Sequence, residues 1–517
     1  MFYDFSRYGL LAFIALIAVT PYAAYQYKQR PAAEAAMFAL VLTWMFGPNL
    51  ADFDFPFMPP YGKTDWAAIG AALGLALYAG RRVDMTKPGR GLDLFILLMC
   101  FGDLASFLTN RDALLRGPTL QPGLTLTDAV YYIEQDLVGR GLPLFIGRAC
   151  FRRRADGLAA LRLFVTFGLI YTPLILWEVR MSPQLHRQVY GYGMNYSFVQ
   201  SIRDGGFRPE VFLQHGLILG MFVMTVTFAA VALYKVGRKK VLYVPMGIVC
   251  LIFLGVTVLV KAKAALLFTF GGSLVLYRIA PRAQVLICCL IAMTIPTYAY
   301  LHISEQFPAE ELLQRLEPFG EERLQSMQFR LDNELSLVLR AKERMAFGWG
   351  GYERERIFDE LGRNVSVQDG AWIIVLGLRG MVGFVSFFGA LIIPLFYALF
   401  KIGKLKDERD KRILAFFCMV TAMLTLNMLP NMAIDCLPFL MAGGTMGLSS
   451  GLVSEQSKRR RQQKQARRAQ QKASKTPSPP DDEPNPPSPP RPDRKDDGGD
   501  PTWEEPSVII NIPTNIR

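Results

Sequence analysis

"LILGMFVMTVTFAAVALYKVGRKKVLYVPMGIVCLIFLGVTVLV", residues 217–260, decides the fold of this chain. Two apolar runs, Leu217–Tyr234 and Val244–Val260, flank the basic connector Lys235–Lys240. Each run is long enough to cross the hydrocarbon core of a membrane as a helix. Strands of a membrane barrel alternate in polarity and these runs do not, so helices are predicted.

The same pattern recurs along the 517 residues, of which 51% are hydrophobic. Further apolar runs are Leu10–Ala24, Phe95–Leu108 and Phe384–Phe400. A soluble chain of this length would instead fold as two or three domains with amphipathic patterns. The sequence therefore predicts an all-α polytopic membrane protein.

The charges of the connectors predict its topology, because loops rich in Lys and Arg stay in the cytoplasm. Connectors that are acidic or mixed in charge, 51–65, 109–124, 178–210 and 303–370, alternate with basic ones. The basic connectors are Lys28–Arg30, Arg81–Arg90, Arg148–Arg154, Lys235–Lys240, Arg278–Arg282 and Lys401–Arg412. We expect about 12–13 transmembrane helices, with the N-terminus outside and the C-terminus inside. The weakest span is 125–147, and a re-entrant segment is the alternative there.

The C-terminal region, residues 453–517, differs in composition from the transmembrane domain 1–452. Nine basic and no acidic residues occur from Lys458 to Lys475, followed by a run rich in Pro, Asp, Glu and Ser. Such a composition cannot bury a core, so a disordered cytoplasmic tail is predicted. The basic part is expected either to anchor the last span or to lie on anionic lipid. No cleavable signal peptide is expected, since the first apolar run lacks an A-x-A-like end.

Several classes of site are not expected. The seven Cys residues show no CxxC or His/Cys spacing and fit small packing residues. His186, His215 and His302 all fall on or beside the predicted outer face, but their neighbours lack metal-ligand spacing. The net charge of +13 is spread over short clusters between apolar runs, which argues against nucleic-acid binding. We expect neither a metal nor a cofactor.

The connector 303–370 is the largest predicted external segment. Its 68 residues carry 14 acidic and nine basic side chains, far more than an ordinary connection needs. Leu331, Leu335, Val338 and Leu339 share one helical face, which predicts an ordered and largely helical periplasmic loop. Together with 178–210 it is the expected location of the functional site.

Two further segments of this loop have competing interpretations. The glycines of "FGWGGY", residues 347–352, resemble a nucleotide-binding loop, but no strand precedes them and no P-loop pattern is present. A tight turn after the loop helix is predicted instead. The stretch "YERERIFDELG", residues 352–362, predicts a second short surface helix.

Cations near the predicted outer face are candidate ligands of an anion. Lys261 and Lys263, in "VLVKAKAALLF", fall in a tight turn that the topology places outside, against the positive-inside bias. They either snorkel to the surface or face an anionic group in an outward cavity. Arg203 and Arg208 lie in "SIRDGGFRPEVF", where Pro209 begins a helix whose N–H groups favour anions.

Arg330, Arg340 and Arg344 lie along the predicted loop helix. Guanidinium groups bind phosphate oxygens in a bidentate fashion that lysine does not reproduce. The alternative for any one of them is a solvated helix face.

With these residues in hand, the chain resembles the bacterial O-antigen polymerase and O-antigen ligase superfamily over roughly residues 160–450. The resemblance rests on "FRLDNELSLVLRAKERMAFGWGGY" (329–352) and "VQDGAWIIVLGLRGMVGF" (367–384), an Arg-bearing helix, glycines, and a polar residue that opens a span. The "VLVKAKAALLF" turn and "GGFRP" (205–209) look like further short basic segments of the family.

The resemblance implies a GT-C-like fold and transfer of glycan from a polyprenyl-diphosphate carrier at the outer face of the bacterial inner membrane. Arg330, Arg208 and Asp369 would be catalytic, with Asp369 as a base toward a sugar hydroxyl. Cations stabilise the leaving diphosphate. By position, Lys261 or Lys263, Arg208 and Arg330 would carry that role. The residues expected to bind the diphosphate are Lys261, Lys263, Arg203 and Arg340. Ligases of the family have a histidine near the position of Asp369, so the departure favours a polymerase.

The resemblance leaves alternatives open. A ligase would transfer the glycan to a lipid or protein acceptor, and a polysaccharide flippase would move it across the membrane. A transporter should show inverted repeats and broken spans, and no convincing repeat is present. A scaffold role has support only from the tail. The expected partners are the lipid bilayer, the lipid-linked glycan as donor and acceptor, and assembly proteins such as a chain-length regulator.

Overall fold

The computed structural model describes residues 4–5, 7–55, 58–79, 91–193, 198–203, 205–432 and 435–473, and these residues are mostly helical. Strand structure within them amounts to three short antiparallel ribbons, β1–β2, β3–β4 and β5–β6. The strands are β1 (Leu114–Arg116), β2 (Thr119–Gln121), β3 (Ile202–Arg203), β4 (Gly206–Phe207), β5 (Lys240–Val241) and β6 (Val244–Pro245).

The helices follow in chain order. They are α1 (Leu10–Gln29), α2 (Ala32–Ala36), α3 (Thr43–Phe46), α4 (Lys63–Gly74), α5 (Leu92–Thr109), α6 (Leu126–Asp136), α7 (Leu142–Cys150), α8 (Arg154–Met181), α9 (Leu185–Tyr190), α10 (Gly216–Val236), α11 (Met246–Leu259), α12 (Lys263–Arg278), α13 (Pro281–Ala292), α14 (Thr294–Ile303), α15 (Ala309–Leu316), α16 (Glu321–Lys342), α17 (Ala371–Ile402), α18 (Glu408–Asn427) and α19 (Cys436–Ala473).

Seven helices among the described residues are long and apolar enough to cross a membrane. The long apolar runs predicted from the sequence lie in these helices or, for Val244–Val260, in the shorter α11. This confirms an all-α protein of the membrane type, while the number of 12–13 spans stays a prediction. The seven are Leu10–Gln29, Leu92–Thr109, Arg154–Met181, Gly216–Val236, Pro281–Ile303, Ala371–Ile402 and Cys436–Arg467.

Helix α10 lies at the centre of the bundle. It is apolar on all sides and packs against α8, α11, α12 and α18. A helix that is hydrophobic all round is expected in such a buried position. Helix α1 instead exposes Leu10, Leu11, Ile14 and Ile17 on one side, as a helix that faces lipid would.

The weakest predicted span is helical throughout. Helix α6 continues through a π-helical turn, Leu137–Gly141, into α7. Two of its charged side chains are accommodated by ion pairs, since Arg379 of α17 binds Asp136, and Asp136 also binds Arg140 one turn along. Buried charges need such partners. These charges lower the hydropathy of the span, but they do not break its helix.

Helix α17 breaks at Gly380, whose φ of 59° and ψ of −161° are not helical. The glycine-rich segment after α16 fills the break, because Trp349 N donates to Gly377 O at 2.9 Å and Gly350 N donates to Leu378 O at 2.8 Å. On the far side of the break, Met381 N donates to Met345 O at 2.8 Å. The glycines predicted to form a turn thus pack against a span.

The connector 303–370 begins as predicted and ends differently. Helices α15 and α16 occupy its first part, and α16 is the predicted helix that bears the arginines. The predicted helix at 352–362 is wrong, since this segment consists of turns and a bridge between Phe358 and Asn364. Tyr352 and Glu353 have φ values of 58° and 59°, which no α-helix accepts.

Contacts between connectors fall into two groups. At one end of the bundle the predicted basic connectors meet, as in the bond of 2.6 Å between Arg154 Nε and Asp410 Oδ1. At the other end the acidic or mixed connectors meet, as in the ion pair of 2.6 Å between Arg344 Nη2 and Asp112 Oδ2. This grouping agrees with the predicted alternation. Which side of a membrane each group faces stays a prediction.

The chain divides into two units, Met1–Arg460 and Arg461–Arg517, and every candidate site residue lies in the first. Of the tail predicted to be disordered, 453–517, residues 453–473 are helical and continue α19. Residues 474–517 lie outside the described residues, as do the basic connector Arg81–Arg90 and Asp204 beside Arg203.

Candidate functional site

Arg330 and Asp369, 39 positions apart in sequence, form an ion pair. Arg330 Nε lies 3.5 Å from Asp369 Oδ2, and the two side chains are 52% and 43% exposed. Helix α16 carries Arg330, while Asp369 lies two residues before α17 begins. Because both side chains remain half exposed, the pair is accessible to a substrate from solvent.

Backbone contacts position the segment that carries Asp369. Val367 N donates to the Asn333 side chain at 3.0 Å, which ties the segment to α16. Ala371 N donates to Met428 O at 2.9 Å, which ties the start of α17 to the end of α18. These two hydrogen bonds, to α16 and to the end of α18, therefore fix the position of the segment that carries Asp369.

Glu334 lies one turn beyond Arg330 on α16 and is largely buried beside the pair. Its Oε2 accepts a hydrogen bond of 2.6 Å from the Tyr298 hydroxyl and lies 3.9 Å from His302 Nε2. Burial raises the pKa of Glu334, the hydrogen bond from Tyr298 opposes the rise, and the charges of Asp369 and Arg330 act in opposite directions on it. A second carboxyl group thus holds its proton more tightly than an ordinary glutamate.

Aromatic rings close this corner. His302 stacks on Phe307 with ring centroids 4.2 Å apart, and the Tyr298 ring lies 4.4 Å from it. Trp372, which is fully buried, packs edge-on against Tyr298 at 5.3 Å. Neither Glu334 nor Tyr298 was predicted from the sequence as a site residue. The spacing of four residues between Arg330 and Glu334 on a helix was a signal for Glu334, while Tyr298 left no such local signal.

The predicted cations of the two shorter segments come together in a second group. Lys261 Nζ donates to Arg203 O at 2.9 Å, and Arg208 Nη2 donates to Lys261 O at 3.4 Å. Lys261 has a φ of 55°, so its turn is tight, and Arg208 is buried. Lys263 is the exposed first residue of α12, immediately beyond this group. The structure thus brings Arg203, Arg208 and Lys261 together.

Two titratable groups lie beside these cations. Burial lowers the pKa of His215, and the charges of Arg208 and Arg203 lower it further. Burial raises the pKa of Glu210 to about 8, and the neighbouring Glu178 contributes to that rise. Glu178 itself accepts four backbone hydrogen bonds, two of them from Glu210 N and Val211 N at 2.8 and 2.7 Å.

Arg340 lies in a different place from Arg330. The two are ten residues apart on α16, about 15 Å at the rise of an α-helix. The Arg340 guanidinium stacks on Trp349 at 3.4 Å from the ring centroid and donates to Glu343 at 2.7 Å. It lines a cavity of about 430 Å³ with three other arginines. The structure therefore does not place Arg340 in the Arg330–Asp369 pair.

No group of three or more His, Cys, Asp or Glu side chains that could hold a metal occurs among the residues that the structure describes. What the geometry offers is a cation paired with a carboxylate, a second carboxyl group that holds a proton, and a separate set of cations. These parts suit anion binding and proton transfer. No protein-family model matches this chain, and no curated protein matches it, so the resemblance to the O-antigen polymerases and ligases stays a hypothesis.

Proposed function

We propose that this protein is a membrane glycosyltransferase that polymerises polyprenyl-diphosphate-linked oligosaccharide at the outer face of a bacterial inner membrane. The observation that carries the proposal is the Arg330–Asp369 pair, which sets a guanidinium 3.5 Å from a carboxylate at the start of a transmembrane helix. Polymerisation from a diphosphate carrier needs both groups, a cation for the leaving group and a base for the attacking hydroxyl.

In the proposed reaction a hydroxyl oxygen of the acceptor sugar attacks the anomeric carbon of the donor. The new glycosidic C–O bond forms as the bond between that carbon and the diphosphate oxygen breaks. The leaving diphosphate keeps the electron pair, and its growing negative charge is stabilised by Arg330. Asp369 accepts the proton of the hydroxyl. Atoms and charge balance without a metal or a cofactor.

Glu334 acts in this scheme as a positioning residue. It lies one helical turn from Arg330 and is held by the Tyr298 hydroxyl. Its ionised form attracts the Arg330 guanidinium, and that attraction is among the influences on its own pKa. Orientation of a phosphate-binding arginine matters because the guanidinium binds oxygens in a fixed planar fork.

The cluster of Arg203, Arg208 and Lys261 is proposed to bind the diphosphate of a carrier, with Lys263 at its edge. Carbonyl oxygens position two of these side chains, since Lys261 donates to Arg203 O and Arg208 donates to Lys261 O. Under the predicted topology this cluster and the Arg330–Asp369 pair face the periplasm, and the C-terminal tail faces the cytoplasm.

Transfer of the glycan to a lipid or protein acceptor, the ligase reaction, is the second candidate. The observation that favours it is His302, which lies 3.9 Å from Glu334 in the same corner as Asp369. A histidine at this place supplies from α14 the group that the ligases carry near the position of Asp369. The product separates the two candidates, because a polymerase lengthens a carrier-linked glycan and a ligase removes it from the carrier.

The test uses purified protein in detergent and polyprenyl-diphosphate oligosaccharide extracted from the cells that make it. We expect free polyprenyl diphosphate and a ladder of longer glycans. Arg330→Ala should lower the rate by at least about a hundredfold, and Arg330→Lys should also be impaired. Arg363→Ala is the matched control, since Arg363 lies on the same connector in an exposed pair with Asp359. Full activity of Arg330→Ala, or vectorial glycan movement without transfer, would contradict the proposal.

A further inference from the structure

The cavity that contains Arg340 is distinct from the Arg330–Asp369 pair and lies between β1, α16 and the segment after the glycine-rich turn. Its volume is about 430 Å³, within the range of small-molecule sites. Four guanidinium groups line it, together with one carboxylate, that of Glu343. The four are Arg116, Arg340, Arg354 and Arg356. We call it the arginine cavity.

Buried donors in the arginine cavity lack partners. Arg354 is 1% exposed, and although its Nη atoms donate to Pro122 O and Asp112 O, its Nε has no hydrogen-bond partner among the described residues. The buried Nε of Arg340 likewise has no hydrogen-bond partner among the described residues, whereas that of Arg356 lies 3.8 Å from the Glu355 carboxylate. Unsatisfied buried donors cost free energy, which a bound acceptor would recover.

The cations of the cavity also repel one another. Burial lowers the pKa of Arg116, Arg340 and Arg354. Nearby carboxylates oppose this effect, and the charge of another arginine adds to it in each case. Carboxylates offset part of this charge from outside the lining, as Asp112 does 3.7 Å from Arg354. The repulsion that remains among the guanidinium groups favours the binding of an anion.

A purely structural role accounts for only part of the cluster. Arg354 ties the β1–β2 ribbon to the loop through its two carbonyl contacts, and Arg340 supports Trp349. Arg356 is 33% exposed and pairs with its near neighbour Glu353 at 2.7 Å, and its Nε lies 3.8 Å from the buried carboxylate of Glu355. The Arg116 guanidinium lies over the Phe358 ring at 4.1 Å and donates to Tyr352 O.

Apart from Ser336, the remaining lining is apolar, with Leu114, Leu115, Leu339, Ile357 and Phe358. Leu115 and Leu339 are 79% and 50% exposed, so they present open apolar surface beside the guanidinium groups. A sugar ring offers an apolar face and an anionic substituent offers paired oxygens, which suits this combination better than a bare inorganic anion.

We propose that the arginine cavity binds an acidic sugar of the glycan, one that bears a carboxylate or a phosphate group. The inference rests on the proposed function, because it places the site along the path of a glycan. The cavity arginine Arg340 is about 15 Å along α16 from Arg330, a span that a short oligosaccharide covers. An acidic repeat unit seated in the cavity would thus present a neighbouring sugar to the Arg330–Asp369 pair.

The test measures binding to the purified full-length protein by isothermal titration calorimetry. The probes are a hyaluronan tetrasaccharide with glucuronate carboxylates, glucose 6-phosphate, inorganic pyrophosphate and neutral maltotetraose. We expect the two acidic sugars to be bound and maltotetraose not, with affinity falling as salt rises. Which acidic sugar binds more tightly distinguishes carboxylate from phosphate as the recognised group.

The variants are Arg356→Gln and Arg116→Gln, since both side chains remain partly exposed and are less needed for folding than Arg354. Each should raise the Kd for the acidic sugar at least tenfold, while Arg363→Gln on the same connector should not. If Arg356→Gln fails to fold by its thermal unfolding curve, Arg116→Gln decides. Equal binding of maltotetraose, binding of pyrophosphate alone, or an unchanged Kd in a folded variant would overturn the inference.

The outcome is separable from that of the proposed function. Arg330→Ala should keep its affinity for the acidic sugar and lose glycan transfer. Binding without transfer by the wild-type protein would count against the glycosyltransferase and leave the cavity standing. Glycan transfer without binding of any acidic sugar would support the glycosyltransferase and overturn the proposed role of the arginine cavity.

Discussion

Gly348 and Gly380 approach each other so closely that neither position has room for a side chain. A Cβ atom at Gly348 would lie 2.5 Å from Gly380 N, and one at Gly380 would lie 2.6 Å from Gly348 N. Both residues also have positive φ, 72° and 59°. This junction joins the external connector to the broken helix α17, so it fixes the loop that carries Arg330 and Asp369 relative to the bundle.

Gly380→Ala should destabilise the protein markedly. Its φ and ψ lie in a region that only glycine occupies readily, and forcing another residue there costs on the order of 1–3 kcal/mol before the clash with Gly348 is added. Thermal unfolding in detergent, followed by circular dichroism, measures the effect as a lower Tm.

Gly255→Ala is the matched control, since Gly255 lies inside α11 and a Cβ there would meet no atom within 4 Å. Alanine is the better helix former, so this variant should be neutral or slightly more stable. A similar loss of Tm in both variants would show that the Gly348–Gly380 junction is not the cause.

Asp136→Asn should be among the most damaging single changes in the bundle. Asp136 is fully buried and binds both Arg140 and Arg379, and Arg379 Nη1 lies 3.6 Å from Asp103. Removing one member of a buried ion network leaves charge without compensation and costs about 3–5 kcal/mol. The measurement is the free energy of unfolding in mixed micelles of increasing denaturing detergent.

Asp359→Asn provides the comparison for that measurement. It weakens an exposed pair with Arg363 at 2.8 Å, and such pairs contribute little to stability. If the two variants lose the same free energy, the buried network has no special role in stability.

Hydropathy was sufficient to predict the helices, as the match of Leu217–Tyr234 to α10 illustrates. It failed where distant contacts decide the structure. The chain at Tyr352 takes positive φ and the guanidinium of Arg354 is buried by carbonyl oxygens from another connector, so the expected surface helix does not form. The mixture of charges in that segment gave no local sign of this.

The candidate site, like the helices, was predicted in part. Arg330 and Asp369 were predicted as catalytic from a family resemblance, and the structure brings them into contact, although their roles stay predictions. Arg340 was grouped with the diphosphate ligands, whereas the structure groups it with Arg116 of the connector 109–124 and with Arg354, from a later part of its own connector. Residue type and predicted topology indicate which side chains face outward, but only tertiary packing sorts them into separate cavities.

Glu334→Gln should remove one step from the pH dependence of turnover. Burial raises the pKa of Glu334, so its carboxylate forms at a higher pH than an ordinary glutamate, and Arg330 is attracted as it forms. The wild-type rate should rise with pH through that pKa. Glutamine keeps a hydrogen-bond acceptor for Tyr298 but carries no charge, so the rise of the rate with pH should disappear. At pH values above the pKa of Glu334, the rate of the variant should be about tenfold lower than that of the wild type, or about 1.4 kcal/mol.

Asp369→Asn separates this effect from loss of the base. That variant should be inactive, or nearly so, at every pH, because Asp369 is the proposed acceptor of the proton. A pH profile unchanged by Glu334→Gln would remove Glu334 from the positioning role, whatever its effect on the rate.

Glu210→Gln should change how the free energy of unfolding depends on pH. Burial raises the pKa of Glu210 to about 8, whereas in the unfolded chain it returns to the ordinary value of about 4.3. Between these values the folded state holds a proton that the unfolded state releases, so the free energy of unfolding falls as pH rises from about 4.3 to 8. Glutamine cannot ionise and removes this slope.

The measurement is the Tm of wild type and Glu210→Gln at pH 5, 6.5 and 8. The variant should gain stability relative to wild type as pH rises, by up to about 1.4 kcal/mol per pH unit. His186 and Glu210 line one cavity. Burial lowers the pKa of His186 to about 4, so its side chain stays neutral in the folded protein from pH 5 to 8 and does not affect the comparison. Since Glu210 adjoins the segment that holds Arg208, parallel Tm curves for the two proteins would mean that Glu210 is already ionised there and pairs with a cation of that cluster.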